Sequence, residues 1–463
     1  MKSFRLRSIE MNEKNIITKP IDLVHGWETS GSNYYSLIIG NNGTGKSRIL
    51  SNIARFFIDK NKRRNNNNSF FYDTEPQKVI AITNGISDKF PVDESYRPLN
   101  YEIKKKYNEF YYNYIGARSR TNAFTNRTLI NRAIDILLEN YSERDISNNY
   151  RHVFDYLDYE PILKLKFKLS QRFSLSNSKY ITPNDLYSYI EKNQNNRGFM
   201  STNFERYYSY ARPRADEICD FINKNYNSYD ENELIINFSK KNIDRMRLGI
   251  NIEFSIQNQY ELMDLMRKLD LIRGMDTFVY KKGGSEFGFS DASSGEANIL
   301  STLLALIPLL RDNSLILIDE PEISLHPLWQ MKYIDLLQKI MENFSGCHII
   351  IASHSHFIVT DLPIGQSTVI TLKEKKGIIE SRLVQDTTFG WSAEDVLLNV
   401  FELPTSRNYF LSELLTEALE LISLKKGNSK RVQDVKVQLR KLRPIMKETD
   451  PLTSVVDVIL TET

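Results

Sequence analysis

Cysteine is nearly absent: Cys219 and Cys347 are the two in 463 residues. That excludes a disulfide framework and suits a reducing compartment. Long apolar runs are missing as well. The longest, Leu303 to Leu310, falls far short of the roughly 20 residues a membrane helix needs, and no leader pattern opens the chain at Met1. A cytoplasmic protein without a membrane partner is expected. Charge of one sign is lacking too: 61 Lys and Arg against 58 Asp and Glu leave a net charge of +3. This is too little to imply a polyanion partner, so any nucleic-acid contact must come from a local patch. No sustained heptads occur, which argues against a long coiled coil.

What is present begins at Gly40. The segment Gly40-Asn41-Asn42-Gly43-Thr44-Gly45-Lys46-Ser47 matches the phosphate-cradle pattern. Tyr34 to Ile39 reads as a buried strand, Gly40 to Gly45 as a loop, and Lys46 to Ile58 as an amphipathic helix. Glycines let successive backbone N–H groups turn inward at the positive end of a helix. In such a loop Lys46 reaches the β- and γ-phosphates and the Ser47 hydroxyl meets Mg²⁺. Expected cofactors are therefore ATP and Mg²⁺.

Far downstream, Leu315-Ile-Leu-Ile-Asp319-Glu320 is an aliphatic strand ending in two carboxylates. A strand buried on both faces delivers Asp319 to its carboxyl end, where open α/β sheets bind ligands. Asp319 is expected to hold Mg²⁺. Glu320 is expected to be the general base that polarises the attacking water. The Asp291-Ala-Ser293-Ser294-Gly295-Glu296 segment opens an apolar helix over Ala297 to Leu310, placing free backbone N–H groups at a second anion site. Ile349-Ile-Ile-Ala-Ser353-His354 is a strand ending in an imidazole able to hydrogen-bond a phosphate.

In this order the segments resemble the ABC ATPase superfamily. The resemblance makes Gly40 to Ser47 the nucleotide loop, Asp319 and Glu320 the acidic pair, and His354 the switch histidine. Ser293, Ser294, Gly295 and Glu296 become the signature turn that contacts the γ-phosphate held by a partner subunit, with Ser294 standing where the first glycine usually is. Glu322-Ile-Ser324-Leu-His326-Pro327 resembles the loop after the acidic pair in the RecF, OLD and SMC-like branch, not in transporters. The resemblance implies a homodimer clamped by two shared nucleotides. A softer similarity, through Val79 to Asn84, Tyr114-Ile-Gly-Ala-Arg118 and Gly390-Trp-Ser-Ala-Glu394, points to anti-phage ATPases of the Septu and retron-associated kind. It implies a separately encoded nuclease partner. The alternative is a RecF-like repair ATPase acting directly on DNA.

The expected fold is α/β: an ABC-type head with a mixed, largely parallel sheet flanked by helices, a mid-chain helical insertion and a helical C-terminal tail. Residues 1–94 and 246–388 form the head, 95–245 the insertion and 389–463 the tail. The insertion follows from the 273 positions between Lys46 and Asp319. Within it Thr128 to Tyr141, Pro161 to Phe173 and Asp185 to Lys192 read as helices. Leu248 to Phe254 reads as a strand, and Thr277 to Phe289 as a hairpin returning to the sheet. Arg197, Arg206, Tyr207, Tyr208, Arg212 and Arg214 interleave guanidinium groups with rings, the pattern of a nucleic-acid contact; a local tyrosine core with solvated arginines is the commoner origin of such a pattern. Lys425 to Arg443 is a basic run that reads as a solvated helix face.

Overall fold

The computed structural model describes residues 3–13, 16–25, 31–59, 68–85, 88–92, 111–116, 126–139, 147–169, 180–196, 211–225, 232–239, 246–248, 262–263, 265–266, 269, 271–384, 388–401, 409–423, 430–446 and 451–461. The chain divides into two compact units, Met1–Phe389 and Gly390–Thr463.

A seven-stranded sheet organises the first unit. In spatial order its strands are Ile378–Leu383, Ser367–Lys375, Tyr34–Gly40, His348–Ser353, Leu315–Asp319, Val79–Thr83 and Tyr112–Ile115. Only the Ile378–Leu383 edge runs antiparallel; the other six are parallel. Their aliphatic runs are buried throughout in Val79–Thr83, Leu315–Asp319 and His348–Ser353, as a sheet covered on both faces requires. Helix Lys46–Ile58 buries Ile49, Leu50, Ile53, Ala54 and Phe57 along one stripe, the spacing of an amphipathic helix. These side chains join one cluster with Phe4, Ile38, Val79, Leu315, Leu317 and Ile350. Leu6–Glu10 pairs antiparallel with Ile21–Asp22 and Ser69–Tyr72 in a small flanking sheet.

Two expectations need correction. The expected helix over Pro161 to Phe173 is a strand as far as Leu169, the rest lying outside the described residues: Tyr159–Leu169 is the central strand of a five-stranded antiparallel sheet, with neighbours Asn232–Asn237 and Ile272–Lys281. The reason lies in its period. Leu163 and Leu165 are buried while Lys164 and Lys166 alternate with them, and the lysines meet Glu233 and Glu286 across the face, a period of two that no helix can bury. Second, the hairpin of Ile272–Lys281 and Glu286–Gly288 joins this antiparallel sheet and not the parallel one, because Tyr159–Leu169 is its partner. Helices Asn126–Glu139, Ser147–Tyr156, Pro183–Asn196 and Ala215–Asn225 supply the helical part of the mid-chain region. Met246–Leu248 is a strand; the rest of the Leu248 to Phe254 expectation lies outside the described residues. The Ser147–Tyr156 helix is tied to the head by Asn149, which donates to Ile340 O at 2.5 Å, and Tyr156, which donates to Trp329 O at 2.5 Å.

The second unit packs helices Tyr409–Ser423, Lys430–Leu442 and Pro451–Thr461 around Leu414, Leu415, Ala418, Val435, Leu439, Val456 and Ile459. Its basic run is a helix face: Arg431 pairs with Glu417 at 2.6 Å and Arg443 with Asp457 at 2.7 Å. Among the described residues no helix is long and apolar enough to cross a membrane.

The amino ends of the parallel strands are held by buried polar groups. Arg5, fully buried, donates to the carbonyls of Phe4 and Ser32 at 2.6 Å and to Gly346 at 3.2 Å. His348, also fully buried, accepts from Leu6 N at Nδ1 (3.1 Å), and its Nε2 lies 2.7 Å from Ser36 Oγ. Since Ser36 Oγ donates to Leu23 O, Nε2 carries the imidazole proton. Burial, with the Arg5 and Arg7 charges, holds this imidazole well below its usual pKa. Above pH 6.5 it is neutral whether folded or unfolded; below, only the unfolded chain takes up the proton. Stability therefore falls with acidification below pH 6.5, by up to about 1.4 kcal/mol per pH unit from this residue. Denaturation midpoints across pH 5 to 7 should show that slope, and His348→Gln should remove it.

Candidate functional site

Parallel register sets the site. Asp319 lies between Ala352 and Thr83, and Ser353 opposite Ile39, so the loops after Gly40, Thr83, Asp319 and Ser353 all leave one edge. Gly43 and Gly45 have φ of 86° and 85°, the left-handed region where glycine avoids the Cβ penalty. The chain thereby turns into helix Lys46–Ile58, whose N-cap is Gly45. Asn41, Asn42 and Gly43 are exposed at the mouth of the loop, while Thr44 and Lys46 are buried.

Lys46, 5 % exposed, donates to Gly40 O at 2.7 Å and Asn41 O at 3.3 Å, and its Nζ lies 3.5 Å from His354 Nδ1. Ser47 Oγ donates to Asp319 Oδ1 at 3.1 Å. His354 Nε2 lies 3.7 Å from Glu320 Oε1. Glu320 has φ of 50°, an uncommon conformation outside glycine, and its other carboxylate oxygen packs beside Gly85. The structure thus gathers the Gly40–Ser47 loop, Asp319, Glu320 and His354, residues from the ends of three separate strands.

The electrostatics are those of crowded, dehydrated charge. Burial pulls the Lys46 ammonium down to about 8 despite Glu320, Asp319 and Glu322 nearby. Burial lifts the Asp319 carboxyl to about 7, with Glu320 and Asp88 adding to the rise against the Ser47 hydroxyl. His354 is depressed to about 4 by burial and by the Lys46 charge, so its imidazole is neutral at pH 7. Ser47 Oγ and Asp319 Oδ1 fit a hard divalent cation: neighbouring oxygens of an Mg²⁺ octahedron with 2.0–2.1 Å bonds lie about 2.9 Å apart, close to the 3.1 Å found here.

The Ser293 turn is built as a capping box. Ser293 Oγ accepts from Glu296 N, and Glu296 Oε2 accepts from Ser293 N at 2.8 Å. This arrangement fixes the helix start and leaves Ser293 and Ser294 exposed. Burial raises the Glu296 carboxyl, but the Ser293 hydrogen bonds outweigh it and the group titrates below its usual range. Within the chain, Gly295 abuts the loop after the acidic pair: a Cβ on it would lie 2.5 Å from Ser324 O. His326 N-caps the short helix Pro327–Met331.

Of the arginine and tyrosine patch, Arg197, Arg206, Tyr207 and Tyr208 lie outside the described residues. Arg212 is exposed in a 3-10 turn, and Arg214 pairs with Glu217 at 3.0 Å. Three site neighbours escaped the sequence reading. Asn84 donates to Pro321 O at 3.2 Å; Asp88 accepts from Tyr114 Oη at 2.8 Å; Glu322 accepts from two residues of the switch turn. Glu322 carried a signal as the third acid of Asp-Glu-Pro-Glu and the first residue of the loop after the acidic pair. The tight Gly295 contact makes Gly295→Ala a direct test of the packing. It should lower stability by about 1–3 kcal/mol in denaturant titrations with an unchanged m-value.

The chain is 24 % identical over 461 aligned residues to the "Retron Vc95 probable ATPase" of Vibrio cholerae serotype O1 biovar El Tor, covering 89 % of this chain and 84 % of that one. It is 33 % identical over 105 residues to the Septu protein PtuA of Bacillus thuringiensis, covering 22 % of this chain and 26 % of PtuA. Among solved structures, the SMC head domain from Thermotoga maritima aligns over 82 % of this chain and 100 % of its own at 11 % identity and a TM-score of 0.29. UvrA2 from Deinococcus radiodurans aligns over 80 % and 36 % at 10 % identity and a TM-score of 0.30. The AAA ATPase domain family matches residues 28–359. That span is more than half of the chain and contains Gly40 to Ser47, Asp319, Glu320 and His354, so the chain belongs to the AAA ATPase domain family.

Proposed function

We propose that this chain is a Mg²⁺-dependent ATPase that works as a head-to-head dimer and gates a nucleic-acid-directed effector in the cytoplasm, in anti-phage defence with a separately encoded nuclease. The observation that carries the reading is the single edge at which Lys46, Ser47, Asp319, Glu320 and His354 meet. In this reading the Gly40 to Ser47 loop cradles the triphosphate with its backbone N–H groups at the positive end of helix Lys46–Ile58. Lys46, now bonded to the carbonyls of Gly40 and Asn41, turns to the β- and γ-phosphates. Ser47 and Asp319 hold Mg²⁺, which when bound draws charge off the phosphate oxygens. Glu320 orients the attacking water, and neutral His354 donates a hydrogen bond to the γ-phosphate.

Ser293, Ser294, Gly295 and Glu296 then complete the site of a second copy. Exposure of Ser293 and Ser294 at a helix N-terminus supports this role, because an anion-binding turn needs a face open to its ligand. Each nucleotide would be gripped by two subunits, so loss of the γ-phosphate weakens the pair. Residues 1–94 and 246–388 act as the head, with 95–245 and 389–463 as the regions that meet partners. Tyr156 and Asn149 bind the mid-chain region to elements after the acidic pair, a physical link by which a head movement reaches it. The defence assignment draws support from the likeness to the retron and Septu proteins.

Lys46→Ala should abolish binding of a fluorescent ATP analogue, and Glu320→Gln should accumulate an ATP-bound dimer. Light scattering of Glu320→Gln with and without ATP reads the second directly; a mass that ignores ATP would overturn the shared site.

A further inference from the structure

We propose that Glu322 is a positioning residue for ATP hydrolysis: through the backbone of the switch turn it sets where the His354 imidazole stands. The inference rests on reading the strand edge as an ATPase site and adds a residue to it. Glu322 lies two positions beyond Glu320, yet its carboxylate turns back across the sheet edge to the next strand. Oε1 accepts from His354 N at 2.5 Å and Oε2 from Ser353 Oγ at 2.9 Å. Ser353 Oγ in turn accepts from Ser355 N at 2.9 Å. One carboxylate and one hydroxyl thereby organise three consecutive residues.

The placement has a chemical logic. Two donors on adjacent residues of a tight turn need two acceptors from one side chain, and an ionised carboxylate is the side chain with two acceptors and no donor. Charge-assisted bonds are also shorter and stronger than neutral ones. The carboxylate is set in a buried place for this purpose: burial raises its pKa, opposed by the His354 amide and the Ser353 hydroxyl. With the His354 amide pinned, its imidazole stands 3.5 Å from Lys46 Nζ and 3.7 Å from Glu320 Oε1. A displacement of about 1 Å in such a group is enough to lower a rate roughly 100-fold.

Glu322 also belongs to the loop that leads away from the site. Leu325 N donates to Glu322 O at 3.0 Å, and Ser324, with φ of 65°, presents the carbonyl that abuts Gly295. Gln330 closes a second strap, accepting from Ser355 Oγ at 2.6 Å and donating to Leu325 O at 2.9 Å. The switch turn, the loop after the acidic pair and the Ser293 turn are thus one hydrogen-bonded and packed assembly, with the Glu322 carboxylate as its junction to His354.

Steady-state hydrolysis and nuclear magnetic resonance of the full chain test this together. Glu322→Ala should lower kcat about 10- to 100-fold with KM changed less than about threefold. Glu322→Asp, one methylene too short to reach both donors, should do the same and serves if the alanine variant does not fold. Glu322→Gln keeps an acceptor for the His354 amide and should retain kcat within about threefold. In a His354→Ala background Glu322→Asp should add less than about a threefold loss. Without nucleotide, the His354 imidazole signals should move in Glu322→Asp, and its titration should rise from about 4 toward the usual 6.5, while Glu322→Gln leaves both in place. Unchanged kcat in Glu322→Asp, an equal loss in the His354→Ala background, or unmoved His354 signals would overturn the proposal. If the wild-type chain fails to hydrolyse ATP, the ATPase reading falls, and the imidazole signals still decide whether Glu322 positions His354.

Discussion

The parallel ladder linking Tyr34–Gly40, His348–Ser353, Leu315–Asp319 and Val79–Thr83 is the constraint on which the rest depends. Parallel strands in near-equal register end together, and where the strands end the backbone must leave the sheet. Four loops are therefore forced into one small region, each bringing the polar residue that follows an aliphatic run. Shifting any one strand by a single residue would turn its whole side-chain set to the opposite face. Asp319 would then lose Ser47, and His354 would lose Lys46.

The two ends of these strands solve opposite problems. At the amino ends, Arg5 and His348 are buried but fully engaged, the first by carbonyls and the second by Leu6 and Ser36. That end is a static mount, with an imidazole held neutral by its surroundings. At the carboxyl ends, Lys46 and Asp319 are each pushed toward their uncharged forms by burial although they lie close together. A region of this kind gains from a ligand that brings negative charge to the lysine and positive charge to the carboxylate, because the dehydration has already been incurred in folding.

Much of this was legible in the chain because the relevant signals are local. Three glycines before a Lys-Ser pair dictate loop geometry, and four aliphatic residues before Asp319 dictate a buried strand. The failure at Pro161 to Phe173 was one of period: Leu163 and Leu165 alternate with Lys164 and Lys166, and lysine and leucine, good helix formers, mask a strand pattern. The hairpin at Ile272–Lys281 was recognisable as a hairpin, but its neighbour was not, since strand pairing is chosen by packing between segments more than 100 positions apart.

Taken alone, the order of residues determined which groups stand at strand ends and helix starts: Lys46, Ser47, Asp319, Glu320, His354 and the Ser293 cap. These follow from backbone sterics and burial within a few residues of each motif. Tertiary structure alone decided which of them touch. Ser47 meets Asp319, His354 stands between Lys46 and Glu320, and the Glu322 carboxylate holds a turn 31 and 32 positions away. Aliphatic runs are nearly interchangeable as partners in a sheet, so strand order is settled only when the whole core packs; the hydrogen bonds at the strand ends inherit that decision.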